Sequence, residues 1–169
     1  MDLYHASKSK FSVGDIIKGN NTSNFYLIAT TAMDSQKPDG LPARKTALYC
    51  TDSPEFAVYY LRMQEVDINQ INLYRVHVSA HHKAPFSITH VLENKIKANI
   101  DVTELINEYW SPSKDWNYYE YLTEEFEVKE IIDKPKLNEI LISHEPPRVL
   151  RRLQHLREWS HEQVKQVFT

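Results

Sequence analysis

The sequence predicts an α+β domain whose sheets are mostly antiparallel. Its 169 residues suit about one domain, and 41% are hydrophobic and 25% charged, as in ordinary soluble proteins. About seven short segments have strand composition, and helical segments lie between them without the regular alternation of a parallel sheet. No predicted strand is followed by a glycine-rich turn, which disfavours a doubly wound nucleotide-binding fold.

Apolar spacing and turn residues place the elements along the chain. Alternating apolar and polar residues over 71–79 predict a half-buried strand, whereas the apolar spacing over 24–34 is that of a short helix. Ser53 and Pro54 mark another helix start, because serine can cap the free amides and proline is tolerated in the first turn. Strands are predicted over 2–6, 13–18, 47–51, 71–79, 118–123, 126–132 and 139–143, and helices over 24–34, 54–63, 87–97, 101–110 and 149–168.

Charge is distributed unevenly. Residues 101–145 hold twelve Asp and Glu against four Lys and Arg, whereas residues 146–169 hold five Lys and Arg against two Glu. A uniformly basic nucleic-acid binder is excluded, although the basic tail alone could contact an anionic partner. We therefore expect a domain over residues 1–145 and a C-terminal amphipathic helix over 146–169, which packs on the domain or binds a partner protein or RNA.

Membrane and secretory signals are missing from the sequence. No segment approaches the roughly 20 apolar residues of a membrane-spanning helix, and no basic start precedes an apolar run. The single cysteine, Cys50, excludes an internal disulfide and fits a reducing compartment. A cytoplasmic protein without membrane contact is predicted.

Histidines give the one hint of a metal site. His77, His81, His82 and His90 are close in sequence, but no carboxylate–histidine spacing accompanies them. We expect these four to be solvated loop histidines and not metal ligands.

Three motifs follow one another along the chain. Residues 5–7 read His-Ala-Ser at the end of a predicted strand, and Tyr49 on a strand precedes Tyr60 on a helix with ten residues between them. Glu120 then opens Glu-Tyr-Leu on a later strand. In this order the motifs resemble the ADP-ribosyltransferases of the histidine–tyrosine–glutamate class, which includes diphtheria toxin and the poly-ADP-ribose polymerases, and the chain start also resembles small bacterial members. The resemblance implies a split antiparallel β-sandwich with peripheral helices, and NAD as the substrate.

The resemblance also implies a role for each motif residue in cleaving the nicotinamide–ribose bond. Glu120, His5 and Tyr49 are the predicted catalytic residues, with Glu120 stabilising positive charge on the ribose and polarising a ribose hydroxyl. Tyr60 would stack on the nicotinamide ring, with Tyr49 on the opposite wall. His5 would hydrogen-bond the adenine-side ribose, and Ser7 could contact the carboxamide.

Two further residues complete the predicted NAD site. Ala6 stands where the family has glycine; its backbone would hold the carboxamide, but alanine loses freedom at positive φ. Arg44 is the candidate for the diphosphate, because a guanidinium suits phosphate oxygens.

The recipient of ADP-ribose stays open. Tyr118 stands two positions before Glu120, where enzymes of this fold that modify arginine or asparagine often carry Glu or Gln, so an arginine acceptor is not supported. A protein, a nucleic acid or a small molecule such as an antibiotic remain candidate acceptors. By analogy with intracellular toxins and phage-defence factors, an inhibitor or antitoxin is a candidate partner.

Ordinary structural interpretations compete with these roles. Two other functions stay open: an inactive NAD-binding module of the same fold, and an interaction protein in which the motifs match by chance. Tyr59 competes with Tyr60, and Glu124 and Glu125 compete with Glu120. An aromatic cluster either walls the cleft or packs in the core; it comprises Trp110, Trp116, Tyr118 and Tyr119.

Overall fold

Two antiparallel sheets and four α-helices make up the part of the chain that the computed structural model describes, residues 1–20, 26–62, 64–116, 118–134 and 136–137. The strands are β1 (Asp2–Ser7), β2 (Ile16–Lys18), β3 (Leu48–Cys50), β4 (Asn72–His77), β5 (His82–Pro85), β6 (Tyr119–Thr123) and β7 (Glu125–Ile132). The helices are α1 (Leu27–Ser35), α2 (Pro54–Arg62), α3 (Phe86–Lys97) and α4 (Thr103–Trp110), with a 3-10 turn at Ile68–Gln70. The α+β class is confirmed.

The sheets meet along one pair of edges. One has the order β1-β4-β7-β2 and the other β3-β6-β5, and every pair within them is antiparallel. Tyr4 and Thr51 exchange two backbone hydrogen bonds of 2.7 and 2.9 Å, which join β1 to the end of β3. This bridge brings the first strand of the chain beside a strand more than forty residues later.

A hydrophobic core lies between the sheets, and a second lies beneath the helices. The three-stranded sheet turns Cys50 and Tyr121 toward the other sheet, while Leu122, one residue on, faces the helices. The inter-sheet core consists of Leu3, Cys50, Tyr74, Val76, Val78, Tyr121, Phe126 and Val128. The core under α1, α3 and α4 consists of Ala29, Met33, Ala84, Ile88, Leu92, Ile106, Tyr109, Trp110 and Leu122. Full burial of one such leucine contributes roughly 2 kcal/mol.

The start of α2 follows its predicted chemistry. Pro54 is the first helical residue, and the Ser53 hydroxyl accepts a hydrogen bond from the Phe56 amide at 3.1 Å. Ala57 and Val58 pack on the four-stranded sheet side, against a cluster that includes Leu73. The position of α2, and hence of Tyr60 near its end, is therefore fixed by a local cap and by packing.

The strand prediction over 13–18 and the histidine prediction differ from the structure, the latter also at His90, which is buried on α3. Residues 13–15 form a turn rather than strand, because Gly14 has a φ of 92° and Ser12 donates its amide to Asp15 at 2.7 Å. His82, predicted in a solvated loop, begins edge strand β5, where its half-buried ring packs 5.2 Å from that of Trp110; His81 is exposed before it. Pairing with β6 overrides a short sequence that carries little strand signal.

Some predictions lie outside the described residues. These are the strand over 139–143, the C-terminal helix over 149–168 and the division of the chain after residue 145. Among the helices that are described, none has the length and apolar character needed to cross a membrane.

Replacing Gly19 with alanine should destabilise the fold. A Cβ there would lie 1.9 Å from the Thr46 carbonyl oxygen, so the chain after β2 would have to move away from the segment before β3. We expect a loss of about 3 kcal/mol in the free energy of unfolding, measured by chemical denaturation. The control is Gly40→Ala, where an added Cβ meets nothing within 4 Å and the positive φ costs about 1 kcal/mol. Equal losses in both variants would contradict the steric explanation.

Candidate functional site

A cleft of about 440 Å³ opens where β1 approaches β3, with α2 along one side. This volume falls within the roughly 300–1,000 Å³ of small-molecule sites. Of the seven residues predicted from the motifs and from Arg44, six line the cleft. These six are His5, Ala6, Ser7, Tyr49, Tyr60 and Glu120.

The walls of the cleft differ in chemistry. The wall from α2 and α3 is aromatic: Phe56 meets Phe86 edge-on at 4.9 Å, and Tyr60 meets Phe86 at 5.5 Å. The wall from the ends of β1 and β2 is more polar and carries two exposed cations, Lys8 and Lys18, the second of which lies 3.7 Å from Glu125. A ligand with one flat aromatic group and one anionic group matches these two walls.

His5 is held as a neutral imidazole of defined tautomer. Its Nδ1 lies 2.8 Å from the Tyr49 carbonyl oxygen, and because a carbonyl only accepts, Nδ1 must carry the proton and donate. Burial lowers the pKa of His5, although the hydrogen bond to Tyr49 acts in the opposite direction. In the neutral ring Nε2 is then an acceptor, and a ligand hydroxyl could donate to it.

Ala6 turns its backbone toward the cleft. Along an antiparallel strand, alternate residues direct their amide and carbonyl groups to opposite neighbours. Because Tyr4 bonds to Thr51 on the β3 side, Ala6, two residues on, directs its backbone groups to that same side. Ala6 does not have a positive φ, so alanine in place of glycine brings no backbone strain here.

The two predicted tyrosines are neutral groups. The Tyr49 hydroxyl donates to the Arg44 carbonyl oxygen at 2.5 Å, which fixes the ring. Burial raises the pKa of Tyr49 to about 12 and also raises that of Tyr60. Both therefore offer ring faces and protonated hydroxyls rather than phenolates.

Glu120 lines the cleft with a side chain whose two carboxylate oxygens differ in their contacts. It is 3% exposed, and its Oε1 accepts hydrogen bonds from Tyr109 Oη at 2.7 Å, from Arg44 Nη1 and, at 3.5 Å, from Thr89 Oγ1. In the described part of the chain, the fully buried side-chain atoms without a partner are Arg44 Nε and His82 Nε2. Since Oε2 has no described partner and is not one of them, it is the oxygen that reaches the cleft.

The same sheet face carries Glu120 and Tyr49. Tyr49 pairs opposite Leu122 across β3 and β6, and Glu120 is two residues from Leu122 on β6. Residues two apart on a strand share a face, so the ring and the carboxylate project to the same side. Sheet pairing therefore brings the second and third motifs together.

Arg44 lies in a different place from the one predicted. It is 2% exposed, pairs with Glu120 and does not line the cleft. Its guanidinium lies 5.1 Å from the Tyr49 ring centroid and 4.9 Å from that of Tyr109. Burial alone would lower the pKa of Arg44, but the charge of Glu120, the two neighbouring tyrosines and the hydrogen bond to Glu120 together raise it. The predicted diphosphate contact does not fit this buried position.

The competing residues fall outside the cleft lining. Glu124 and Glu125 are exposed, and Tyr59 is absent from the lining while Tyr60 belongs to it.

The aromatic cluster packs within the fold and does not line the cleft. Trp110 donates to the Met33 carbonyl oxygen at 3.0 Å, and the Tyr118 ring lies 5.4 Å from that of Phe56. Trp116 donates its ring N–H to Glu108 at 2.8 Å and its amide to the Tyr119 hydroxyl at 2.9 Å.

Several site residues carry no motif signal in the sequence. Phe56 lies four residues before Tyr60 on one helix face, and that spacing is the one signal that could have identified it. Phe86, Thr89 and Tyr109 reach the site only through the packing of α3 and α4 on the sheet.

No group of three or more metal-ligating side chains occurs among the residues with described coordinates. The sequence matches no protein-family model and no curated protein. Motifs and geometry therefore carry the functional argument.

Stability should fall below neutral pH in a way that depends on His5. Because burial lowers its native pKa, the unfolded chain, with a histidine pKa of about 6.5, takes up the proton first as pH falls. The free energy of unfolding should therefore decrease from about pH 7 to pH 5. Urea denaturation across this range should show a smaller decrease for His5→Asn, which keeps a donor for the Tyr49 carbonyl.

His82→Asn serves as a comparison, because burial also lowers the pKa of His82 and its contribution should be separate. An unchanged pH slope in His5→Asn would contradict a half-buried, neutral His5.

Proposed function

We propose that the protein is an NAD-dependent mono-ADP-ribosyltransferase of the histidine–tyrosine–glutamate class. It would cleave the nicotinamide–ribose bond and transfer ADP-ribose to a protein or nucleic-acid acceptor. The observation that carries this proposal is the convergence of the three motifs, which are far apart in sequence, on one cleft between two antiparallel sheets. The motif residues of a working site are expected to lie together in the fold, whereas motifs that match by chance are not.

The chemistry of the walls supports NAD as the ligand. The aromatic wall suits the nicotinamide ring, which would stack on Tyr60, with its carboxamide held by the backbone of Ala6 and the nearby Ser7 hydroxyl. A hydroxyl of the adenine-side ribose would donate a hydrogen bond to His5 Nε2. The diphosphate, for which Arg44 is not placed, would lie against Lys8 and Lys18.

Glu120 would promote bond cleavage. In this reaction the bond between the ribose anomeric carbon and the pyridinium nitrogen breaks, and its electron pair neutralises the nitrogen of departing nicotinamide. The sugar passes through an oxocarbenium-like state, which a carboxylate oxygen near the ribose stabilises. Oε2 of Glu120, free of described partners, can also accept a hydrogen bond from a ribose hydroxyl. The acceptor then bonds to the anomeric carbon and loses a proton to solvent water.

One observation favours a second function. Arg44 neutralises the charge of Glu120, and a neutral pair exerts a weaker field on a developing cation than a lone carboxylate does. A non-catalytic NAD-binding module of the same fold would tolerate this arrangement. Turnover and binding therefore have to be measured separately.

Glu120→Gln should abolish most nicotinamide release from NAD. The amide keeps the shape of the side chain and removes the charge, so we expect a rate about 10²–10³-fold lower, measured by chromatography of released nicotinamide. Glu124→Gln is the matched control, because Glu124 is exposed and does not line the cleft. Saturable NAD binding without release by the wild type would favour the binding module. The absence of both binding and release would eliminate both functions.

To identify the acceptor of ADP-ribose, the protein is incubated with NAD in a cell lysate. Mass spectrometry of the protein, RNA and small-molecule fractions separates a macromolecular acceptor from an antibiotic-like one. The Glu120→Gln variant supplies the background for each fraction.

Removing the two lysines of the polar wall should weaken NAD binding. We expect Lys8→Ala combined with Lys18→Ala to raise KM for NAD about tenfold with little change in kcat, because a diphosphate contact far from the reacting bond contributes uniform binding. Lys10→Ala combined with Lys45→Ala, which removes two exposed cations outside the cleft, is the charge-matched control. A KM that rises no more than in this control would contradict the diphosphate assignment. Higher ionic strength should reduce the difference between the double variant and the wild type.

A further inference from the structure

We infer that Arg44 is a positioning residue for Glu120, acting with Tyr109, and is not a ligand of NAD. This inference rests on the proposed function and gives Arg44 a role within it. Both ionic side chains are almost completely buried, at 2% and 4% exposure, and their pairing joins residues 76 positions apart. The contact is therefore made by the fold as a whole.

All the described hydrogen bonds to the carboxylate of Glu120 fall on one oxygen, Oε1. Arg44, Tyr109 and Thr89 approach Oε1 from the loop before β3, from α4 and from α3. A carboxylate held through one oxygen has little freedom to rotate, so the direction of Oε2 is set. Because Oε2 is not fully buried and Glu120 lines the cleft, Oε2 is the oxygen available to a ligand there.

Arg44 is itself held at three points. Its amide donates to Asp34 Oδ1 at 2.7 Å, and its carbonyl accepts from the Tyr49 hydroxyl at 2.5 Å. Its guanidinium lies between the rings of Tyr49 and Tyr109. A residue that only neutralised charge would not need a fixed backbone and a fixed head group.

Arg44 also connects the motifs. His5 Nδ1 donates to the Tyr49 carbonyl, the Tyr49 hydroxyl donates to the Arg44 carbonyl, and Arg44 Nη1 donates to Glu120. This hydrogen-bonded series, His5–Tyr49–Arg44–Glu120, links the residues assigned to ribose, nicotinamide and bond cleavage. A shift of Arg44 would therefore change the relative positions of all three.

Burial explains why the carboxylate needs this partner. A buried carboxylate is costly unless an opposite charge and hydrogen bonds accompany it. Arg44 supplies the opposite charge, and Tyr109 adds a neutral donor to the same oxygen. These contacts occupy Oε1 and leave Oε2 as an acceptor for a ligand, which the proposed chemistry requires.

Kinetics distinguishes positioning from ligand binding and from a purely structural role. In Arg44→Lys and Tyr109→Phe, which keep the charge and the ring respectively, we expect kcat for nicotinamide release to fall about 10- to 100-fold in the first and less in the second. KM for NAD and the Kd measured by calorimetry should stay within about twofold of the wild type. Arg75→Met is the matched control, because Arg75 forms exposed ion pairs on the other sheet and should leave kcat unchanged.

A double-mutant cycle gives a readout that needs no turnover. Arg44→Met should lower the urea midpoint strongly in the wild-type background and less in Glu120→Gln, because the unpaired buried charge is then absent. If Arg44→Met does not fold, Tyr109→Phe, which removes a donor to the charged oxygen, replaces it in the cycle, and its loss should also be smaller in Glu120→Gln.

Three outcomes would overturn the inference. A raised KM with unchanged kcat in Arg44→Lys would make Arg44 a ligand of NAD. Unchanged kcat in both Arg44→Lys and Tyr109→Phe, with an active wild type, would make the pair structural only. Equal midpoint losses in the two backgrounds would show that the pair is not coupled. A wild type that binds NAD but releases no nicotinamide would instead refute the proposed transferase, and the positioning role would fall with it.

Discussion

A buried ion pair between Arg44 and Glu120 holds the cleft together. Arg44 belongs to the loop before β3, Glu120 to β6, and the tyrosine that shares their carboxylate oxygen to α4. The pair therefore ties the three-stranded sheet to a covering helix at the floor of the cleft. Through Tyr49 and His5 the same hydrogen bonds continue to β1 and the four-stranded sheet. The hydrophobic core packs the two sheets together, and this charged contact sets the relative positions of the cleft residues.

Such a contact has an energetic cost that constrains function. Removing two charges from water is expensive, and their attraction offsets the cost only with good geometry and additional hydrogen bonds. Here Glu120 receives the additional bonds, whereas Arg44 Nε lacks a partner among the described residues. A hydrophobic pair could give similar stability without this penalty. The arrangement is better explained by a need for a charged oxygen at a fixed place in the cleft than by stability alone.

Local chemistry accounts for what the sequence could predict. The start of α2 was predictable because Ser53 and Pro54 act within one turn, and most strands were predictable because alternation is a local pattern. β5 was missed because its pairing with β6, not its composition, makes it a strand. The motif residues were placed in one cleft by resemblance, but the position of Arg44 could not be read from the chain. Its partner is 76 residues away, and an exposed phosphate ligand and a buried counter-ion have the same local sequence.

The protonation states of the cleft narrow the chemistry that it can perform. Both tyrosines stay protonated because burial raises their pKa, and His5 keeps a proton on Nδ1 through its bond to Tyr49. If NAD binds as proposed, a ribose hydroxyl occupies Nε2, and Oε2 of Glu120 is then the acceptor nearest the reacting bond. Because the cleft offers few groups that could accept a proton, it suits a reaction in which nicotinamide departs before the acceptor is deprotonated. The acceptor would lose its proton late, when the sugar cation already attracts its electron pair, so no strong base is needed. The cleft is therefore better suited to stabilising a cation than to activating a nucleophile.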